Sequence, residues 1–77
     1  MPIASVIVEA VNGAAGAVAD SLGSISDVSV YGVKENQIVV VIEGDTIKAV
    51  DETVRGLVGI ENVLGVYPVF AAAYEDK

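Results

Sequence analysis

The chain contains no cysteine, no histidine and no tryptophan, and sets only four basic residues against eleven acidic ones. Without cysteine there can be neither a disulfide nor a thiolate metal site. Without histidine the commonest general base and the commonest metal ligand are both missing. The formal net charge of −7 repels phosphate backbones and anionic headgroups. Nucleic acid is therefore excluded as a partner, and no stable membrane association is expected. A basic partner would be attracted. Most of the acids serve to keep an apolar chain in solution.

Other absences narrow the chemistry further. "NGAAG", residues 12–16, is the nearest approach to a phosphate-binding loop. It lacks the G-x-G-x-x-G pattern and a following lysine, and reads as a loose helix start. Asp20, Asp51-Glu52 and Glu75-Asp76 read as solvated charge, with no cluster of carboxylates at metal spacing. Nothing assembles a nucleophile, a base and an oxyanion site, so no catalysis, no metal and no cofactor are expected. Long hydrophobic runs are lacking too. "MPIASVIVEAV" at the N-terminus is too short to span a bilayer, is interrupted by Glu9 and has no basic leader. A cytoplasmic protein without signal peptide or anchor is the expectation.

What is present is apolar: 53% of the 77 residues are hydrophobic. A chain of this length supports one small domain, residues 1–77, whose stability must come from burial. Ile3–Ala10 is β-branched and reads as a strand. In "VNGAAGAVADSLG", Asn12 is the candidate cap, Ala14, Val18 and Leu22 recur every four residues, and Gly23 can end the helix. Val28–Val33 is a second strand. "KEN", residues 34–36, has hairpin chemistry, with Asn36 suited to positive φ. "QIVVVIE", residues 37–43, reads as a central strand covered on both faces. "GDTIKAVDETVRGLVG" is an amphipathic helix capped by Asp45 or Thr46. Ile47, Val50, Val54 and Leu57 share one face, and Lys48, Asp51, Glu52 and Arg55 the others. Val63 to about Ala73 is the last strand, followed by a charged tail.

The order β-α-β-β-α-β carries an internal echo. "LGSISDVSVYGV" (22–33) and "LVGIENVLGVYPV" (57–69) both open with Leu, place Ile three residues on and Val three after that, and end in Val-Tyr-x-Val. Two right-handed β-α-β units side by side give the ferredoxin-like α+β fold, a four-stranded antiparallel sheet with two helices on one face. The period of two then divides each strand. Ala4, Val6, Val8, Val28, Val30, Ile38, Val40, Ile42, Leu64, Val66 and Phe70 should face the helices. The open face should carry Ser5, Ile7, Glu9, Tyr31, Val33, Val39, Val41, Tyr67 and Val69, with Glu9 and Glu43 at its edge. Pro68 belongs on an edge or at a bulge, where it can invert the assignment beyond it. An exposed apolar face marks an interaction site. Two occupants suit it: a partner that is apolar in one part and basic in another, or a second copy in a back-to-back dimer.

"IASVIVE", "DVSVYGVKENQIVVVIEGD" and "VLGVYPVF" together resemble the NapD family, over nearly the whole chain. The resemblance rests on Ser5 inside the first apolar strand, the acidic-Val hairpin leading into "IVVVIE", and the "VL-G-V-x-x-V-aromatic" ending. It implies the ferredoxin-like fold and a cytoplasmic chaperone for assembly of a periplasmic nitrate reductase. Its partner would be the twin-arginine signal peptide of the catalytic subunit of that or another exported molybdoenzyme. That peptide, held at the sheet by the nine open-face residues above, would not be exported before cofactor insertion. The chain departs from the family where Phe70-Ala71 replaces a frequent Tyr-His, where "GSIS" lacks Pro-Gly, and at Tyr67-Pro68. The alternatives are a small-molecule-sensing domain of the ACT or Lrp/AsnC type, or a bare oligomerisation module. Both require an obligate oligomer, whereas a peptide-binding chaperone is a monomer or weak homodimer with a vacant sheet face.

Overall fold

The computed structural model describes residues 2–72, with side chains as far as residue 69. Six elements follow in the order β1 (Ile3–Ala10), α1 (Ala15–Gly23), β2 (Val28–Lys34), β3 (Gln37–Glu43), α2 (Ile47–Leu57) and β4 (Val63–Ala72). The strands form one sheet in the order β2-β3-β1-β4, with every neighbouring pair antiparallel. This is the ferredoxin-like arrangement. Residue 73, to which the last strand was expected to run, and the charged tail lie outside the described residues.

Alternation along the strands builds the core. Ala4, Val6, Val8 and Ala10 of β1 and Ile38, Val40 and Ile42 of β3 are buried on one face. They meet Ala15, Val18 and Leu22 of α1 and Val50 and Leu57 of α2, with Val28 completing the cluster. Both helices therefore cover the same face. Each fully buried Val, Ile or Leu contributes about 1.5–3 kcal/mol of transfer free energy. β3 is central in the sheet, but Val39 is exposed and Val41 half-buried, so it is covered on one face and not on both.

The helices differ in how they start. Thr46 caps α2, its hydroxyl accepting from the Ala49 N–H at 3.0 Å. Ile47, expected on the core face of this helix, is exposed; Val50, about one turn on, is the first residue of α2 to be buried in the core. The N-cap position of α1 is Ala14, which has no side chain able to accept, and Asn12 lies too far upstream to cap it. Gly13 (φ +86°) turns the chain before α1, a conformation that suits a residue without Cβ. Gly44 allows a close approach: a Cβ there would meet Val50 Cγ2 at 3.0 Å. In the β2–β3 hairpin the residue in the left-handed region is Glu35 (φ +56°) and not Asn36.

The echoed segments adopt one local structure. In the first, Ile25 N–H donates to Leu22 O and Val28 N–H to Ile25 O; in the second, Ile60 donates to Leu57 O and Val63 to Ile60 O. The residue before each returning strand is left-handed, Asp27 at φ +68° and Asn62 at φ +70°. Asp and Asn tolerate that conformation better than other residues with a Cβ. The Leu-Ile-Val spacing is thus a repeated helix exit, in which Leu plugs the core and Ile closes the turn over it.

The echoes then fall out of step by one residue, and the sheet absorbs the difference. Ala10 pairs with Val63 but Glu9 with Gly65, leaving Leu64 as an extra residue. Leu64 was expected to face the helices. It is 64% exposed, because a bulge re-aims the side chain it inserts.

Candidate functional site: the open sheet face

The face away from the helices is built from cross-strand rows that the register fixes. Ile7 stands between Val39 on β3 and Tyr67 on β4, and Val39 is opposite Gly32 on β2. On one side of this row Ser5 stands between Val41 and Phe70, with Ser29 beyond Val41. On the other side Glu9 stands between Gln37 and Gly65, with Lys34 beyond Gln37. Glu43 lies opposite Ile3 at the far end. At about 4.8 Å between strands, each row crosses the sheet in roughly 14 Å. The centre is apolar with one small hydroxyl, and an acid marks each end.

Six of the nine expected residues share this face by register: Ser5, Ile7, Glu9, Val39, Val41 and Tyr67. Tyr31 is 73% exposed at the edge of the same face, where it forms a bulge between Val30, opposite Val40, and Gly32, opposite Val39. Val33 does not belong to the face. Past the Tyr31 bulge it pairs with Ile38, a core residue, and lies at the rim of the helix-covered side. An inserted residue reverses the parity of everything after it, and strict alternation from Val28 misses this. Val69 is exposed and is itself the extra residue between Pro68, opposite Val6, and Phe70, opposite Ser5. Phe70 was expected to face the helices; its backbone pairs on the Ser5 row, and its side chain and that of Ala71 lie outside the described residues. Pro68 sits on an edge strand beside a bulge, as its missing N–H requires.

One arrangement was not anticipated. The Tyr67 side chain lies back along its own strand over Gly65, so that a Cβ on Gly65 would come within 2.6 Å of the phenol oxygen. From there the hydroxyl donates to Glu9 Oε1 at 3.4 Å. Gly65 leaves the slot, Tyr67 fills it, and Glu9 is held at the end of the apolar row. The sequence signal was a glycine inside a strand pattern, two residues before an aromatic.

The echo also acquires a spatial meaning. β2 and β4 are the two edge strands, so Val-Tyr-x-Val places Tyr31 at one edge of the open face and Tyr67 at the other, flanking Val39 and Ile7. Among the described residues no three acidic side chains gather as a metal site, and no helix is long and apolar enough to cross a membrane.

The family model described as NapD protein matches residues 1–75. No curated protein sequence matches the chain. The solution structure of the E. coli Tat proofreading chaperone protein NapD superposes with a TM-score of 0.83 at 21% identity, covering 97% of this chain and 81% of that one. At that identity the likeness speaks for the fold.

Proposed function

The chain belongs to the NapD family, and on that premise we propose that it is a chaperone without catalytic activity that binds the twin-arginine signal peptide of an exported molybdoenzyme precursor. The catalytic subunit of a periplasmic nitrate reductase is the first client to test. Binding would take place in the cytoplasm, before export, and would delay export until the cofactor is inserted. The observation that carries this reading is the open face: Ile7, Val39 and Val41 on the central strands and Tyr67 on the edge strand β4 form an apolar strip that no element among the described residues covers.

A twin-arginine peptide has a basic part followed by an apolar part. Its apolar part, laid on this strip, would remove both surfaces from water at about 25 cal/mol per Å². Glu9, held by Tyr67, and Glu43 would attract and orient the arginines more than they would add affinity. The bulges at Tyr31, Leu64 and Val69 and the proline in β4 interrupt both free edges, which disfavours edge-to-edge pairing. That argues against oligomers joined edge to edge; a back-to-back dimer across the open face is left to the titration below to decide.

Calorimetric titration with a synthetic twin-arginine peptide, at low and high salt, tests the proposal. Micromolar or tighter binding that weakens with salt is expected. No binding, together with a stable dimer in solution, would overturn it.

A further inference from the structure

Asn12 and Gly13 form the turn between β1 and α1, and the open-face reading gives them no role. Both are exposed. Gly13 is left-handed at φ +86°, and the space where its Cβ would stand is empty, with no heavy atom within 4 Å. The amides on either side of this pair are engaged: Val11 N–H donates to Asn62 O at 2.8 Å and Ala14 N–H to Val11 O at 2.9 Å. The Gly13 N–H and the Asn12 side chain make no hydrogen bond to any described residue.

We propose that Asn12 is a site of spontaneous deamidation in the folded protein, with Gly13 supplying the nucleophile. The Gly13 amide nitrogen, once it loses its proton, attacks Asn12 Cγ. A C–N bond forms, the side-chain nitrogen leaves as ammonia, and a five-membered succinimide results. Water then opens the ring. Cleavage of the bond from nitrogen to the side-chain carbonyl gives an ordinary aspartate at position 12. Cleavage of the bond to the main-chain carbonyl gives isoaspartate, with the backbone rerouted through Cβ. Water is the only co-reactant and no redox step is involved.

The other two asparagines serve as internal controls. Asn62 is followed by the β-branched Val63, whose N–H is bonded to Ile60 O at 3.2 Å. Asn36 is half-buried, its carbonyl accepts from Ala10 N–H at 2.8 Å, and Gln37 after it is locked into β3. The amide after Asn62 is engaged and the one after Asn36 belongs to a paired strand, and neither following residue is a glycine. The two products at position 12 should also differ. The ordinary aspartate adds a negative charge close to the start of α1, a helix with no acid in its first turn and no side-chain cap, where the helix dipole favours an anion. Isoaspartate lengthens the main chain inside the turn that Ala14 N–H and Val11 O close.

The test is incubation of the full chain in mildly alkaline buffer, followed by peptide mass spectrometry able to separate the two acidic products. Conversion at Asn12 at least about tenfold faster than at Asn36 or Asn62, a barrier difference of about 1.4 kcal/mol, is the expected result. The Asn12→Ser variant should show no acidic shift over the same period. Asn12→Asp should unfold at the same denaturant concentration as the parent or higher, and the isolated isoaspartate form at a lower one. Conversion at Asn12 no faster than at the other two asparagines would overturn the proposal.

Discussion

The hydroxyl of Tyr67 reaches Glu9 across the bare α-carbon of Gly65: the phenol oxygen is 3.4 Å from Glu9 Oε1 and would be 2.6 Å from a Cβ on the glycine. A side chain at residue 65 therefore decides where the tyrosine rests. Gly65→Ala should push Tyr67 off its strand and free Glu9. Tyr67 is half-exposed and has somewhere to go, so the stability change should be small. The lost hydrogen bond, about 1 kcal/mol, is offset by the roughly 0.5–1 kcal/mol that glycine costs inside a strand. The checks are the urea midpoint and the Tyr67 ring resonances, which should move while the midpoint stays. A large loss of stability would mean that the slot supports the fold.

The two faces of β3 can be told apart by one residue. Val40 is fully buried on the helix side, whereas Val41 is half-buried on the open side. Val40→Asp should abolish folding, since an unpaired buried carboxylate costs several kcal/mol. Val41→Asp should leave the circular dichroism spectrum intact and remove peptide binding. If Val41→Asp also unfolds the protein, the open face is part of the core and not a docking surface.

Leu57 and Leu64 test the one-residue slip between the echoes. Leu57 is 1% exposed and Leu64 is 64% exposed. Leu57→Ala should cost about 2–5 kcal/mol, whereas Leu64→Ala should stay within about 0.5 kcal/mol of the parent. Equal losses in chemical denaturation would contradict the bulge at Leu64.

Glu35 holds the left-handed position of the hairpin at φ +56°, where a Cβ costs about 1–2 kcal/mol. Glu35→Gly should raise stability by up to about 1 kcal/mol, the strain relieved exceeding the chain entropy that glycine adds. Asn36→Gly should not. A higher urea midpoint for Asn36→Gly than for Glu35→Gly would reverse the assignment of the turn.

Periodicity made the sheet legible from the sequence because its two central strands are uninterrupted. β1 and β3 pair residue for residue from Ile3 opposite Glu43 to Glu9 opposite Gln37, so alternation assigns every side chain correctly. The edge strands were read less well for one physical reason. Tyr31, Leu64 and Val69 are each an extra residue, and no pattern of apolar and polar residues announces a bulge between two apolar neighbours. Val33 and Leu64 were misplaced on that account; Pro68 gave warning, and Gly32 and Gly65, each directly after an inserted residue, carry the same signal more weakly. The cap of α2 was legible in Thr46. The start of α1 was not, because Asn12 has the chemistry of a cap but stands two residues before Ala14. Tyr67 could be placed on the open face, but its posture over Gly65 depends on a contact between residues on one strand that alternation does not describe.

The most direct test of peptide binding at the open face is amide chemical-shift mapping of the labelled protein as a twin-arginine peptide is added. The largest shifts should fall on Ser5, Ile7, Glu9, Val39, Val41 and Tyr67, and should leave Val18, Leu22, Val50 and Leu57 little changed. Shifts concentrated on the helices, with the strip from Tyr67 through Ile7 to Val39 unmoved, would contradict it.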